Sequence, residues 1–139
     1  LTYNGHQHRM SDLELIASLG VKTLRYPVLW EKVAPDNLKT FDWGCSDQQM
    51  AKLNALGIHP IVGLVHHGSG PRYTNLMDPA FPEQLAIYAK EVAERYPWVN
   101  FFTPVNEPLT TARFSGLYGH WYPHAKDEFS FVKALINQC

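Results

Sequence analysis

The sequence predicts an α/β fold, part of a (β/α)8 barrel, on three observations. Apolar runs of strand length at 21–29, 58–65 and 99–105 recur about 40 residues apart. Amphipathic helical segments lie between them, so consecutive strands run parallel through right-handed crossovers. No G-x-G-x-x-G turn and no phosphate-binding loop follows any strand, which sets aside an open nucleotide-binding sheet and leaves the barrel. A whole barrel takes about 250 residues, and the 139 here supply roughly half.

Each element has a local cause. Ser11-Asp12-Leu13-Glu14 has the capping-box form and predicts a helix over 12–19 that buries Leu13, Ile16 and Ala17 and stops at Gly20. Alternation in the first strand puts Leu24, Tyr26 and Val28 on one face and Thr23, Arg25 and Pro27 on the other. A charge among such neighbours is paired or lies at an open end, which makes Arg25 a candidate partner for a carboxylate. Residues 31–42 read as a loop with a Pro35-Asp36-Asn37 turn. Ser46-Asp47-Gln48-Gln49 is a second capping-box candidate, opening a helix that buries Met50, Leu53 and Leu56 and ends at Gly57.

The run 58–65 is almost unbroken, as in a strand covered on both faces, and leads into His66-His67-Gly68-Ser69-Gly70-Pro71. If the strand continued, the two histidines would point to opposite sides, a poor arrangement for a metal. Pro79-Ala80-Phe81-Pro82 opens the third helix, in which Phe81, Leu85, Tyr88 and Val92 form the core stripe and Lys90, Glu91, Glu94 and Arg95 face water. Tyr96-Pro97 ends it before the third strand, read as buried. A segment over 109–126 carries Phe114, Tyr118, Trp121 and Tyr122, and residues 129–138 begin a fourth helix.

Composition excludes several classes. With 12 basic and 13 acidic residues interspersed and a formal charge of −1, the chain has no polyanion-binding surface, so neither nucleic acid nor an anionic membrane is an expected partner. No apolar stretch approaches the roughly 20 residues of a membrane span, and residues 1–4 lack a signal-peptide pattern; a cytoplasmic location is the expectation. Cys45 and Cys139 have no metal-type spacing and read as a reduced pair, a disulfide being the alternative. His6-Gln7-His8 reads as a loop rather than a metal site, and no metal or cofactor is expected.

The chemistry concentrates where the third strand ends, in Thr103-Pro104-Val105-Asn106-Glu107-Pro108. Parallel α/β folds assemble their sites at carboxyl ends of strands, so Glu107 is the candidate catalytic residue. Asn-Glu-Pro after an apolar strand, followed by Ala112, Gly116, Gly119 and Pro123, resembles the fourth-strand region of family 1 glycoside hydrolases, the β-glucosidase-type enzymes. Leu24-Arg25-Tyr26-Pro27-Val28-Leu29-Trp30 resembles their second strand. The resemblance implies a span from after the first strand to the fourth helix of the barrel. It implies Glu107 as acid/base, Asn106 on the sugar hydroxyl next to the reacting carbon, Arg25 supporting a nucleophilic carboxylate, and His66 as a sugar-binding histidine. His67 and Gly68 depart from the pattern, standing where those enzymes usually carry Trp and Asp, and the departure bears on substrate choice and on activity. Among the aromatic residues of 109–126, Trp121 is the candidate for stacking on a sugar ring, core packing being the other reading.

Retaining glycosidases use two carboxylates roughly 5 Å apart. The acid/base needs a raised pKa, from an apolar wall or the neighbouring carboxylate. In the resembled family the nucleophile is a Glu on the seventh strand, which these residues do not reach; Glu31, Asp36 and Asp78 match no motif for it. The loop 66–71 and the stretch 106–116 also resemble bacterial proteins in which a family 1 hydrolase-like domain precedes a reductase similar to dTDP-4-dehydrorhamnose reductase. That implies either a carbohydrate-hydrolysing domain or a non-catalytic sugar-binding or scaffolding one. The open edges of a partial barrel imply a complementary half barrel or self-association as partner.

Overall fold

The computed structural model describes residues 5–139; the reading of residues 1–4 as lacking a leader pattern lies outside the described residues. Strands β1 (Thr23–Pro27), β2 (His59–Val65) and β3 (Phe101–Val105) form a parallel sheet in that order among the described residues. Arg25 pairs in register with Ile61 and Ile61 with Phe101; Tyr26 pairs with Val62 and Val62 with Phe102. Because side chains alternate along a strand, these two rows lie on opposite faces. The row of Tyr26 and Val62 is buried, whereas Arg25 and Phe101 are exposed and Ile61 is half-buried.

Two expectations are corrected by this asymmetry. β2 is covered on one face rather than two, and β3 is an edge strand rather than a buried one, with Phe101 62% exposed. An apolar sequence records the burial of a closed barrel, while the sheet here closes on neither side.

Helices cover the buried face. α1 (Ser11–Ser18), α2 (Trp30–Val33), α3 (Gly44–Ala55) and α4 (Phe81–Arg95) supply Leu13, Trp30, Val33, Met50, Leu53, Phe81, Leu85, Tyr88 and Val92 to one core with Tyr26, Val28, Val62 and Leu64. The 3.6-residue stripe of α4 is buried as its spacing predicts. Its Tyr88 hydroxyl donates to the Val28 carbonyl at 2.8 Å, tying α4 to the chain just beyond β1. Of the α1 stripe only Leu13 is fully buried, Ile16 and Ala17 being half-buried. Trp30 is fully buried among Tyr73, Phe81 and Tyr88, and its indole N–H donates to the Tyr73 hydroxyl at 2.8 Å.

Neither capping box forms. α1 begins at Ser11 and α3 at Gly44, both without a side-chain cap. The acids expected to cap or to sit beside the cap are used between elements. Glu14 accepts from Lys52 of α3, and Asp47 accepts from Arg95 and from the Tyr96 hydroxyl, joining α3 to α4. The segment read as a loop after β1 contains the short α2, formed where Trp30 and Val33 are drawn into the core. His6-Gln7-His8 is a single 3-10 turn whose His6 bonds Asp12 at 2.8 Å and the Tyr26 hydroxyl at 3.0 Å. Cys45 and Cys139 are free thiols.

After β3 the chain folds at once into α5 (Pro108–Ala112), which continues as a π-helical turn over Arg113–Leu117. α6 (Glu128–Ile136) follows, capped by Asp127, whose carboxylate accepts from the Ser130 N–H at 2.8 Å. Gly116 is what lets α6 close on that turn. A Cβ at Gly116 would stand 2.8 Å from the Phe131 main chain, so any side chain there would push the helices apart.

Candidate active site

The sequence-predicted residues sit at the carboxyl ends of the strands. Val65 is the last residue of β2, but its carbonyl accepts from the Asn106 N–H at 2.9 Å, so the ladder runs one residue past β3 and fixes Asn106. The Asn106 side chain is buried and its amide oxygen accepts from Arg25 Nη2 at 2.5 Å. The partner expected for Arg25 was a carboxylate; among the described residues it is this amide. Orientation follows from the bond: with its oxygen facing the guanidinium, the Asn106 amide turns its NH2 group elsewhere, available to another acceptor.

Glu107 has φ 48° and ψ 65°, the left-handed region, which a residue with a Cβ enters at a cost of order 1–3 kcal/mol. Two bonds from one residue hold it there. The Thr111 N–H donates to the Glu107 carbonyl at 2.8 Å, and the Thr111 hydroxyl donates to the Asn106 carbonyl at 2.9 Å. Thr111 is fully buried, so this clamp has no competition from water. Glu107 is the N-cap residue of α5 yet its side chain makes no capping bond, and it is exposed. A strained backbone that aims an uncommitted carboxyl outward is the local feature that marks this position. Sequence reading missed the role of Thr111; a Thr four residues after a strand-terminal acid was the available signal.

A cleft of about 380 Å3 is lined by Arg25, Tyr26, Pro27, Leu29, Gly63 and His66. His66 is exposed, and partial burial of its ring, then the charges of His67 and Arg25, lower its pKa, against which the negative charge of Glu107 raises it. The imidazole therefore stays neutral at pH 7 and offers one donor and one acceptor. An NMR titration should place the His66 midpoint below the ordinary imidazole value, and His67→Ala should raise it; an unchanged midpoint would remove His67 from the balance. Arg25, His66 and Asn106 thus meet at one rim, with Glu107 close enough for its charge to bear on His66.

Trp121 lies elsewhere. It packs against His67, with ring centroids 4.8 Å apart, and against Phe114 at 4.9 Å, and it lines a second cleft rather than the one shared by Arg25 and His66. His66 and His67 do not diverge as a continuing strand would make them: β2 ends at Val65 and their rings are 4.1 Å apart. Among the described residues no group of three His, Cys, Asp or Glu side chains is placed to hold a metal ion, and no helix is long and apolar enough to cross a membrane.

No family model matches the chain. In sequence it is 29% identical over 135 residues to the rice (Oryza sativa subsp. japonica) protein named "Probable inactive beta-glucosidase 14", a match covering 88% of this chain and 26% of that protein. It is 30% identical over 131 residues to rice Beta-glucosidase 4, covering 85% of this chain and 26% of the relative. In structure it is similar to the family 1 β-glucosidase of Thermotoga maritima, with a TM-score of 0.85 at 22% identity, over 96% of this chain and 32% of that one. A β-glucosidase of the same organism in complex with cyclophellitol gives 0.84 at 24% identity, over 96% of this chain and 32% of that one. The chain spans about a quarter of the length of the curated relatives and about a third of the solved chains. It is similar in sequence and structure to family 1 β-glucosidases, and its fold is part of their (β/α)8 barrel.

Proposed function

We propose that this stretch of a family 1 glycosidase-like barrel supplies the acid/base half of a retaining glycoside hydrolysis, with Glu107 as proton donor to the departing sugar oxygen. The observation that carries the reading is the clamp on Asn106 and Glu107. One buried threonine and one strand ladder hold the pair in a strained conformation that leaves the Glu107 carboxyl free at the rim. Asn106 is oriented by Arg25 to bond a sugar hydroxyl, and neutral His66 bonds another from across the cleft. A retaining mechanism needs a second carboxylate roughly 5 Å from the first, and it is supplied by polypeptide outside these residues. Arg25, facing the cleft from β1, is placed to stabilise that carboxylate.

The substrate is a β-linked carbohydrate. The likeness to a β-glucosidase solved with cyclophellitol supports a sugar-sized ligand at this rim. The test is hydrolysis of an aryl β-glucoside by the full-length protein, together with a strand downstream of Cys139 that ends in a Glu facing Glu107. A full-length protein with neither turnover nor such a Glu overturns the reading.

A second reading is a sugar-binding or scaffolding module without turnover: His67 and Gly68 break the pattern of the resembled enzymes, and one rice relative carries the name "Probable inactive beta-glucosidase 14". On that reading the module is fused to a sugar-nucleotide reductase, and a dinucleotide-binding turn in the sequence after Cys139 is the feature to find.

Partners follow from the edges. A closed (β/α)8 barrel has eight strands and the sheet has three among the described residues, with Phe101 exposed on β3 and Arg25 on β1. The isolated 139-residue chain should therefore associate with itself or with a complementary piece of barrel. Sedimentation of that chain as a compact, stable monomer would contradict this.

A further inference from the structure

His66 lines the cleft proposed for the sugar, whereas His67 and Trp121 line a second one. The His66 imidazole is exposed, and among the described residues no side-chain hydrogen bond fixes it. That matters because the last torsion of a histidine is broad and nearly two-fold. Turning the ring over puts carbons where the nitrogens stood, and a sugar hydroxyl then meets neither donor nor acceptor. Packing is left to choose the orientation.

The packing is a file of rings. His66 meets His67 with centroids 4.1 Å apart, His67 meets Trp121 at 4.8 Å, and Trp121 meets Phe114 edge to face at 4.9 Å and 79°. Main chain fixes the far end. Phe114 belongs to the π-helical turn Arg113–Leu117, its carbonyl accepts from the Trp121 N–H at 3.0 Å, and the Trp121 carbonyl accepts from the His124 N–H at 2.8 Å. A further bond ties the two loops together: the hydroxyl of buried Ser69 donates to the Tyr122 carbonyl at 2.9 Å, joining the loop after β2 to the residue next to Trp121. The turn that carries Phe114 continues from α5, whose Thr111 clamps Asn106 and Glu107. One helical segment thus stands behind Glu107 directly and behind His66 through the rings.

We propose that Trp121 is a positioning residue: acting through His67, it holds the His66 imidazole in the one orientation that offers its nitrogens to the sugar, and it does not itself stack on the sugar. A stacking platform has to line the cleft that holds the sugar ring, and Trp121 lines the other one. The consequence for sugar affinity rests on the glycoside reading; the hold on His66 does not.

The test first compares imidazole signals of the ligand-free full-length protein by NMR. In the wild type the ring protons of His66 and His67 should give a cross-relaxation peak. Trp121→Ala should abolish that peak, and Trp121→Phe, which returns a ring to the face of His67, should restore it. Trp121 is half-buried and outside the set of residues packed on the core, so the truncation leaves the fold intact, which coincident unfolding midpoints would verify. A peak that persists in Trp121→Ala overturns the proposal. The second readout is kinetic. Trp121→Ala should raise KM for an aryl β-glucoside about tenfold, with kcat the less affected, because the hydrogen bond lost is one made to bound substrate. On a His66→Ala background the same substitution should change KM by less than about twofold, since the residue it acts through is gone. A residue that stacked on the sugar would cost as much with His66 absent as with it present, and equal losses on the two backgrounds overturn the proposal. A wild type without turnover removes the glycoside reading, and the ligand-free comparison still decides whether Trp121 holds His66.

Discussion

Glu107→Gln in the full-length protein should lower the hydrolysis of an alkyl β-glucoside by about 10²- to 10⁴-fold, the range over which a positioned acid/base contributes. Gln keeps the length and shape of the side chain, so the left-handed backbone, the Thr111 clamp and the Asn106–Arg25 bond all survive. What is lost is an acidic proton. The effect should depend on the leaving group: a nitrophenolate departs without protonation, so an aryl glucoside should lose less than an alkyl one in the bond-breaking step. Wild-type and variant rates that agree on both substrates would remove Glu107 from the chemistry. Unfolding midpoints should coincide, since the side chain is exposed and makes no capping bond.

This position was legible in the sequence because a strand pattern ended abruptly in an amide, an acid and a proline. The helix stripe of α4 was legible for the same kind of reason, four apolar residues at a single period. What was not legible depends on contacts far apart in the chain. Arg25 meets Asn106 across 81 residues, and Asp47 meets Arg95 across 48, so neither pairing leaves a local trace. The capping boxes failed for that reason too, since Lys52 took Glu14, and Gln49 turned to the Gln7 carbonyl in a helix that begins at Gly44, ahead of Ser46. The burial of β3 was misread because its residues are suited to a closed barrel, and alternation cannot say whether the neighbouring strand is present.

Trp30→Ala should cost about 3–5 kcal/mol of stability, the usual range for truncating a buried aromatic, read as a lower urea midpoint with an unchanged slope. The indole is fully buried, stacks on Tyr88 with centroids 5.7 Å apart, and meets Phe81 at 5.8 Å. Its loss also strands the Tyr73 hydroxyl, whose bond to the indole N–H is the one described for it. Trp30→Phe should cost less, because a ring still fills most of the space while only the hydrogen bond disappears. The consequence for the site runs through Gly70. With φ 76° and a Cβ position only 3.1 Å from the Trp30 ring, Gly70 lays the loop that begins at His66 directly on the indole face. Removing that face should loosen the loop, so His66 and His67 should lose NMR line order at denaturant concentrations where the rest of the fold is intact. A Trp30→Ala protein that keeps its full stability, or whose histidines stay ordered as the core weakens, would show that the loop is held by its own bonds and not by the core beneath it.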